Sequence, residues 1–381
     1  MTRLHDALAE IADEAPAVDL ADRAIRGNRQ RKRTAMMLAA AATAVVASLA
    51  IMVGTGLLPL RGAGDIAALP REPRTWEIKS SPLPKKKVGP LAYAYTTSCP
   101  DTDVPPDCKP GRWRVVTRTG DTYDVPQALG LTDKAVLGPL TITPDGRALA
   151  YYSDREQKFK IRDLASGKEL TAPVKVPRRQ LESEVFLRVS DNGRHLAFTS
   201  FAGKNGLLID MRNGRTTPLP TGWMPVSVAD DGDPAVVVNW KDTSSRVRLV
   251  SPGGVIRESS IPEYGQRFSA LAPDGRTMAK VGETREGDGP FEDDGTLVVF
   301  DTVTGGMQGK IKAQGLPEDA VILRLGHWLN DTEVAVLVGI SDGRHIRDDL
   351  TTVYGMNVRT GEVRKTGIYP VGNARLPGIV M

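Results

Sequence analysis

The side chains of this 381-residue chain best suited to chemistry are four histidines, two cysteines and two acidic clusters. His5, His195, His327 and His345 are spread along the sequence. No His-Glu-x-x-His or paired-histidine spacing sets two of them on one face, so they do not form the ligand set a zinc site needs. His195 follows a turn and His327 precedes Trp328; each reads as a surface or packed strand residue. Asp230, Asp231 and Asp233 crowd another turn, and EGDGPFEDDG at 286–295 carries Glu292, Asp293 and Asp294. Oxygen-rich loops can hold calcium, but neither stretch keeps the ligand order of a calcium-binding loop. Both are expected to be solvated loops, the second offering a contact surface because it interrupts a strand pair.

Gly339-Ile340-Ser341-Asp342-Gly343 satisfies the G-x-S-x-G pattern of a hydrolase nucleophile. That motif works only on a strand-turn-helix corner, with an acid and a histidine supplied later in the chain. Only 38 residues follow Gly343, and they read as two more strands, so the match is expected to be a loop coincidence. A phosphate-cradling glycine loop is missing too, because Gly54-Thr55-Gly56 falls inside an apolar run. No catalytic, cofactor-binding or metal-ligating residue is assigned, and no cofactor is expected.

What recurs instead is a turn. An apolar run, an Asp-Gly-type corner and a second apolar run appear as LTITPDGRALAYYS (140–153), LRVSDNGRHLAFTSF (187–201), VSVADDGDPAVVVNW (226–240) and SALAPDGRTMAKVG (269–282). A divergent copy is LGHWLNDTEVAVLVG (325–339). Each is followed by a strand, a short glycine turn and a polar strand, as in FKIRDLASGKEL and LLIDMRNGRTTPL. An earlier half-copy, WRVVTRTGDTYDV (113–125), takes LAYAYTTS (91–98) as its partner. Gly146, Gly193, Gly232 and Gly275 recur every ~40–47 residues, the period of a four-stranded propeller blade. The strand after each corner is apolar at consecutive positions, as AVVV (235–238) shows, which suits a sheet covered on both faces. The spacing predicts an all-β propeller of six four-stranded blades, with WEIK (76–79) either adding to the closing blade or beginning a seventh. Asp145, Gly146, Gly193, Gly232, Asp274 and Gly275 are assigned to turn formation, with glycine accepting a positive φ.

Other stretches give the chain an address. Residues 35–60, AMMLAAAATAVVASLAIMVGTGLLPL, carry no charge and exceed the ~20 apolar residues a membrane span needs. Arg26, Arg29, Arg31, Lys32 and Arg33 precede the span, and positive charge resists translocation. Residues 1–34 are therefore expected in the cytoplasm, as a short amphipathic stub able to dock a regulator or merely to orient the anchor. A signal peptide cleaved near Ala47–Ala50 is the rival reading. Residues 61–90, with Lys85, Lys86 and Lys87, read as a proline- and lysine-rich linker, and 91–381 as the propeller. In an oxidising compartment Cys99 and Cys108, which enclose PDTDVPPD, would pair; two free thiols are the alternative, and the spacing excludes a CxxC redox site. A net charge of +4, with basic and acidic residues interleaved, leaves no nucleic-acid footprint.

The PDGR-x-x-A pattern at Pro144–Ala148, with Leu149, and the PDGR at Pro273–Arg276 resemble the repeat of TolB-like (PD40, WD40-like) propellers. The Gly-His and Trp-Asp signatures of true WD40 blades are missing. The layout of basic stub, anchor and propeller is similar to actinobacterial membrane-anchored WD40-like proteins, and VDLADRAIRG adds to that likeness. The resemblance implies a non-enzymatic, single-pass protein that displays a binding or sensing surface outside the cell, to an unknown protein or ligand. It also makes a cytoplasmic regulator of the sigma-factor type conceivable at residues 1–33. A propeller enzyme acting on a cell-wall substrate, with acidic residues at the channel mouth, and a structural envelope component are the alternatives.

Overall fold

The computed structural model describes residues 78–99, 108–201, 206–241, 244–261, 264–285, 291–341, 346–369 and 374–380. The expected stub and the apolar stretch 35–60 lie outside them, as do His5, His345 and WEIK up to Glu77. Among the described residues no helix is long and apolar enough to cross a membrane.

Six sheets, antiparallel but for one short strand pair in the first, follow one another along the chain and form six blades. The first contains β1 (Ser81–Pro82), β2 (Leu91–Thr96), β3 (Trp113–Thr117) and β4 (Thr122–Asp124), ordered β2-β3-β4-β1. Blade 2 holds β5 (Leu140–Ile142), β6 (Ala148–Ser153), β7 (Lys158–Asp163) and β8 (Glu169–Thr171) in simple meander order. Blade 3 repeats it with β9 (Val185–Val189), β10 (His195–Ser200), β11 (Gly206–Asp210) and β12 (Thr216–Leu219). Blade 4 is β13 (Met224–Val228), β14 (Ala235–Lys241), β15 (Ser244–Ser251) and β16 (Gly254–Ile261). Blade 5 has β17 (Thr277–Arg285), β18 (Phe291–Asp301) and β19 (Met307–Lys312). Its innermost position is taken by an irregular segment, in which Phe268 bridges Lys280 and Ser269 N donates to Ala279 O. Blade 6 is β20 (Ala320–Trp328), β21 (Glu333–Ser341), β22 (Ile346–Asn357) and β23 (Val363–Tyr369).

Burial at consecutive positions follows from this stacking. In β14, Val236 and Val238 join the apolar cluster shared with blade 5, while Ala235 and Val237 join the one shared with blade 3. Alternate side chains thus enter opposite seams, and all four are fully buried. At the seam of blades 2 and 3, Phe159 lies 4.6 Å from Phe198, centroid to centroid, and 5.5 Å from Tyr152. Burying each such ring contributes on the order of 2 kcal/mol or more.

The ring is closed from the C-terminus. Arg375 and Ala94 exchange backbone hydrogen bonds of 2.7 and 2.9 Å, so the tail supplies the innermost strand position of blade 1. The tail then turns at Gly378 and runs back along β20, with Ile379 bridging Gly326 and Val380 N donating to Leu325 O. Leu376, Ile379 and Val380 are buried there. At the other end of the domain, the stretch read as linker is laid against the blades from residue 78 onward. Leu83 N donates to Asp124 O, Val88 N to Leu164 O, and both side chains are buried. The added strand of blade 1 is thus Ser81–Pro82, parallel to β4, and it starts no seventh blade.

Candidate functional site

The meander gives the propeller two unlike faces. The corners between first and second strands, and between third and fourth, lie on one face, the turn face. The loops between second and third strands, and the blade-to-blade connections, lie on the other, the loop face.

The turn face holds the residues of the repeated motif. Gly146 N donates to Thr143 O at 2.8 Å, and Asp145 Oδ1 accepts from Thr143 Oγ1 and from Arg147 N at 2.8 and 2.9 Å. This is a type I turn followed by a left-handed residue. Gly146 sits at φ +78°, and a Cβ there would lie 2.5 Å from Leu91 O of the neighbouring blade. Gly193, Gly232 and Gly275 have φ of +67°, +82° and +70°. Asp274 likewise accepts from Arg276 N, Thr277 N and Thr277 Oγ1, and those bonds outweigh its burial to hold its pKa down. The motif carboxylates are spent on their own corners.

The other chemistry-bearing groups are used similarly. His195 packs under the corner of blade 4, with Nδ1 3.1 Å from Asp230 O and Nε2 3.6 Å from Asp210. Asp230 Oδ1 accepts from Asn192 N at 2.7 Å, tying blade 3 to blade 4, and Asp231 accepts from Asp233 N. His327 lies half-buried at the closing seam, where burial pushes its pKa below the ordinary histidine range. The acidic stretch is no loose loop in its described part: Glu292 and Asp293 belong to β18, paired with Thr284 and Glu283 of β17. Asp293 Oδ2 accepts from Ile322 N at 2.6 Å, and Asp294 pairs with Lys310 at 2.9 Å. Among the described residues no three His, Cys, Asp or Glu side chains gather as a metal site. Ser341 of the G-x-S-x-G match ends β21 and pairs with Ile346 in a hairpin, without the helix a nucleophile corner requires. Cys99 and Cys108 form a disulfide in the loop between β2 and β3.

The loop face is built differently. Between blades 3 and 4 a cleft of about 260 Å³ opens beside Phe186, Phe201, Trp223 and Trp240. Phe201, at the end of β10, is 75% exposed. Thr199, Ser200, Thr221 and Asn239 add hydroxyl and amide groups, and no described lining residue is charged. Asn239 Nδ2 donates to Gly222 O at 2.6 Å, fixing the connection that carries Trp223. Arg248 stacks on Trp223 with its guanidinium carbon 4.2 Å from the ring centroid, which holds the indole in place. Rigid aromatic walls with a few polar groups are the usual make-up of a small-ligand site. Along the axis, the groups brought together are Arg188, Arg324 and Arg375, with Glu184 nearby; no set of carboxylates or imidazoles converges there among the described residues.

Sequence reasoning missed both loop-face features. The four aromatic residues come from four separate segments, so spacing cannot join them. The arginines did leave a signal. VFLRV (185–189) and VILRL (321–325) each place an arginine after a leucine inside an apolar inner strand.

No protein-family model matches the chain, and no curated protein matches it in sequence. Solved propellers are similar in fold. TolB from Acinetobacter baumannii covers 77% of this chain and 67% of its own, at 16% identity and a TM-score of 0.45. Oligogalacturonate lyase from Vibrio parahaemolyticus covers 74% and 73%, at 12% identity and a TM-score of 0.39. The Cps50 (Swd1) β-propeller domain from Myceliophthora thermophila covers 61% and 70%, at 12% identity and 0.39. The chain is a six-bladed β-propeller with TolB and WD40 propellers among its structural relatives.

Proposed function

We propose that this protein is a membrane-anchored binding propeller, held by residues 35–60 with the propeller outside the cell, and that the loop face receives its ligand. The observation that carries the reading is the uncharged aromatic cleft between blades 3 and 4. Two indoles, two phenyl rings and a set of hydroxyl and amide groups suit a sugar ring, whose C–H face stacks on an aromatic plane while its hydroxyls hydrogen-bond at the rim. The exported position suggested by the apolar span would put that cleft beside cell-wall glycans. The cationic axis favours binding over acid–base catalysis, because guanidinium groups hold protons too tightly to exchange them near neutral pH.

The test is a fluorescence titration of the purified full chain, solubilised in detergent, with chitotetraose and with maltotetraose. Saturable change in tryptophan emission with one of them, lost in Trp240→Ala, is the result expected. No saturable response to either, or a response that Trp240→Ala leaves unchanged, overturns the sugar reading of the cleft. The address is checked separately, by adding protease to cells stripped of their outer layers: the propeller should be cut while an N-terminal tag survives. The relay to a cytoplasmic regulator is tested by capture on residues 1–33, and recovery of nothing above background retires it.

A further inference from the structure

Three arginines meet in the axial channel from different parts of the ring. Arg188 lies on β9, the innermost strand of blade 3, and Arg324 on β20, the innermost strand of blade 6. In a six-bladed ring these blades stand opposite one another, so the two strands flank the axis from opposite sides. Arg375 lies on the C-terminal segment that fills the innermost position of blade 1. On the same segment Leu376 and Ile379 are buried with Ala335 and Leu337 of blade 6, and Val380 with Phe186 and Phe268. The innermost strand positions thus bring three cations to the axis of the ring.

Arg188 donates from Nη1 to Leu187 O at 2.7 Å, whereas Arg324 and Arg375 are poorly balanced. Arg188 is buried and feels the charge of both Arg324 and Arg375. Burial, then these neighbours, push Arg188 down to about 9, and burial, then Arg324, bring Arg375 down to about 10. All three remain protonated at neutral pH. The guanidinium groups of Arg324 and Arg375 make no hydrogen bond or ion pair among the described residues, and Arg375 Nε is a buried donor without a partner. The nearby acid is Glu184, which is exposed and faces two of these cations at once. Arg267, the remaining cation in range, is already paired with Glu283 at 2.8 Å and donates to Ile322 O. Like charges gathered away from water destabilise the fold unless something of opposite charge joins them.

We infer that these axial arginines form a binding site for a small oxyanion, a phosphoryl or carboxylate group gripped by Arg188, Arg324 and Arg375 together. Guanidinium forks suit such a group because they donate paired, parallel hydrogen bonds. Convergence from three elements would make the site selective for oxyanions over chloride, which cannot accept a fork bidentately. The site is separate from the aromatic cleft, whose described lining is uncharged.

The test is calorimetric titration of the full chain with inorganic phosphate and, in a second arm, with succinate, both at ionic strength matched with sodium chloride. Saturable one-to-one binding of one of them is expected, and the arm that responds identifies the phosphoryl or the carboxylate source. Arg324→Gln and Arg375→Gln should each weaken that binding at least tenfold. Without anion, both variants should melt at or above the wild-type temperature, because a repelling charge has been removed. Trp240→Ala should bind the anion as the wild type does, so loss of the cleft reading and loss of this one are distinguishable. Failure of both anions to bind, or equal affinity in the two arginine variants, overturns the inference. If Arg324→Gln fails to fold, Arg375→Gln alone decides.

Discussion

The two faces of this propeller are made from the same hairpins and yet spend their polar groups in opposite ways. On the turn face, Asp145, Asp230, Asp231 and Asp274 each accept hydrogen bonds from their own or a neighbouring corner, and His195 is locked beneath one of them. On the loop face Phe201 stands exposed beside an aromatic cleft, and along the axis two guanidinium groups lack partners among the described residues. A repeated residue must satisfy the same local geometry in every blade, so its chemistry is consumed by the fold. A residue that departs from the repeat carries no such obligation. Function is therefore sought where the repeat breaks.

Perturbations away from the aromatic cleft should change stability and leave binding in that cleft intact, per folded molecule. The largest effect is expected from ending the chain at Asn373, which removes three buried side chains and the innermost strand position of blade 1. At about 1.5–3 kcal/mol for each side chain, the loss should reach about 5 kcal/mol or more in urea unfolding. Next comes Gly146→Val. A β-branched residue at φ +78° is strained, and its Cβ would press on Leu91 O, so about 3 kcal/mol should be lost. On the loop face of blade 1, away from the cleft of blades 3 and 4, replacing both Cys99 and Cys108 by serine frees a loop of nine-residue separation, and chain-entropy arguments put that loss at about 2–3 kcal/mol.

Acid titration sharpens the comparison further. Burial alone would raise the pKa of Asp301, but hydrogen bonds from Thr304 N, Arg276 and Val303 N hold it below the usual carboxylate range. A carboxylate depressed in the folded state stabilises above its unfolded pKa and loses that contribution as pH falls through the folded value. The urea midpoint should therefore hold from pH 7 to about 5 and decline below about 4, less steeply in Asp301→Asn. The smallest stability change, under about 1 kcal/mol, is expected from Trp240→Ala, because that indole is only partly buried. Its effect should appear in ligand binding instead.

The fold was largely legible in the sequence. Hairpins recurring at ~40–47 residues and runs such as AVVV follow from local turn chemistry and two-sided burial, both of which leave marks on neighbouring residues. A further regularity went unread. Asp163, Asp210, Asp301 and Asn357 each stand four residues before a glycine, whose N–H donates back to their carbonyl in the outer corner of a blade. The closure was not legible, because the pairing of Arg375 with Ala94 joins residues at opposite ends of the domain. The same distance hid the sites. Phe201, Trp223 and Trp240 share a cleft only because two blades stand side by side, and Arg188 meets Arg324 only across the ring.

The division of labour between the faces can be tested in one paired measurement. A photoreactive benzoylphenylalanine is placed in the full chain at Phe201 on the loop face and, in a separate chain, at Arg212 on the turn face. Both chains are expressed in cells, irradiated and weighed intact by mass spectrometry. An added mass at Phe201, diminished by Trp240→Ala and not seen at Arg212, is the result expected. An adduct at Arg212 alone, equal adducts at both positions, or none at either would contradict the assignment of ligand binding to the loop face.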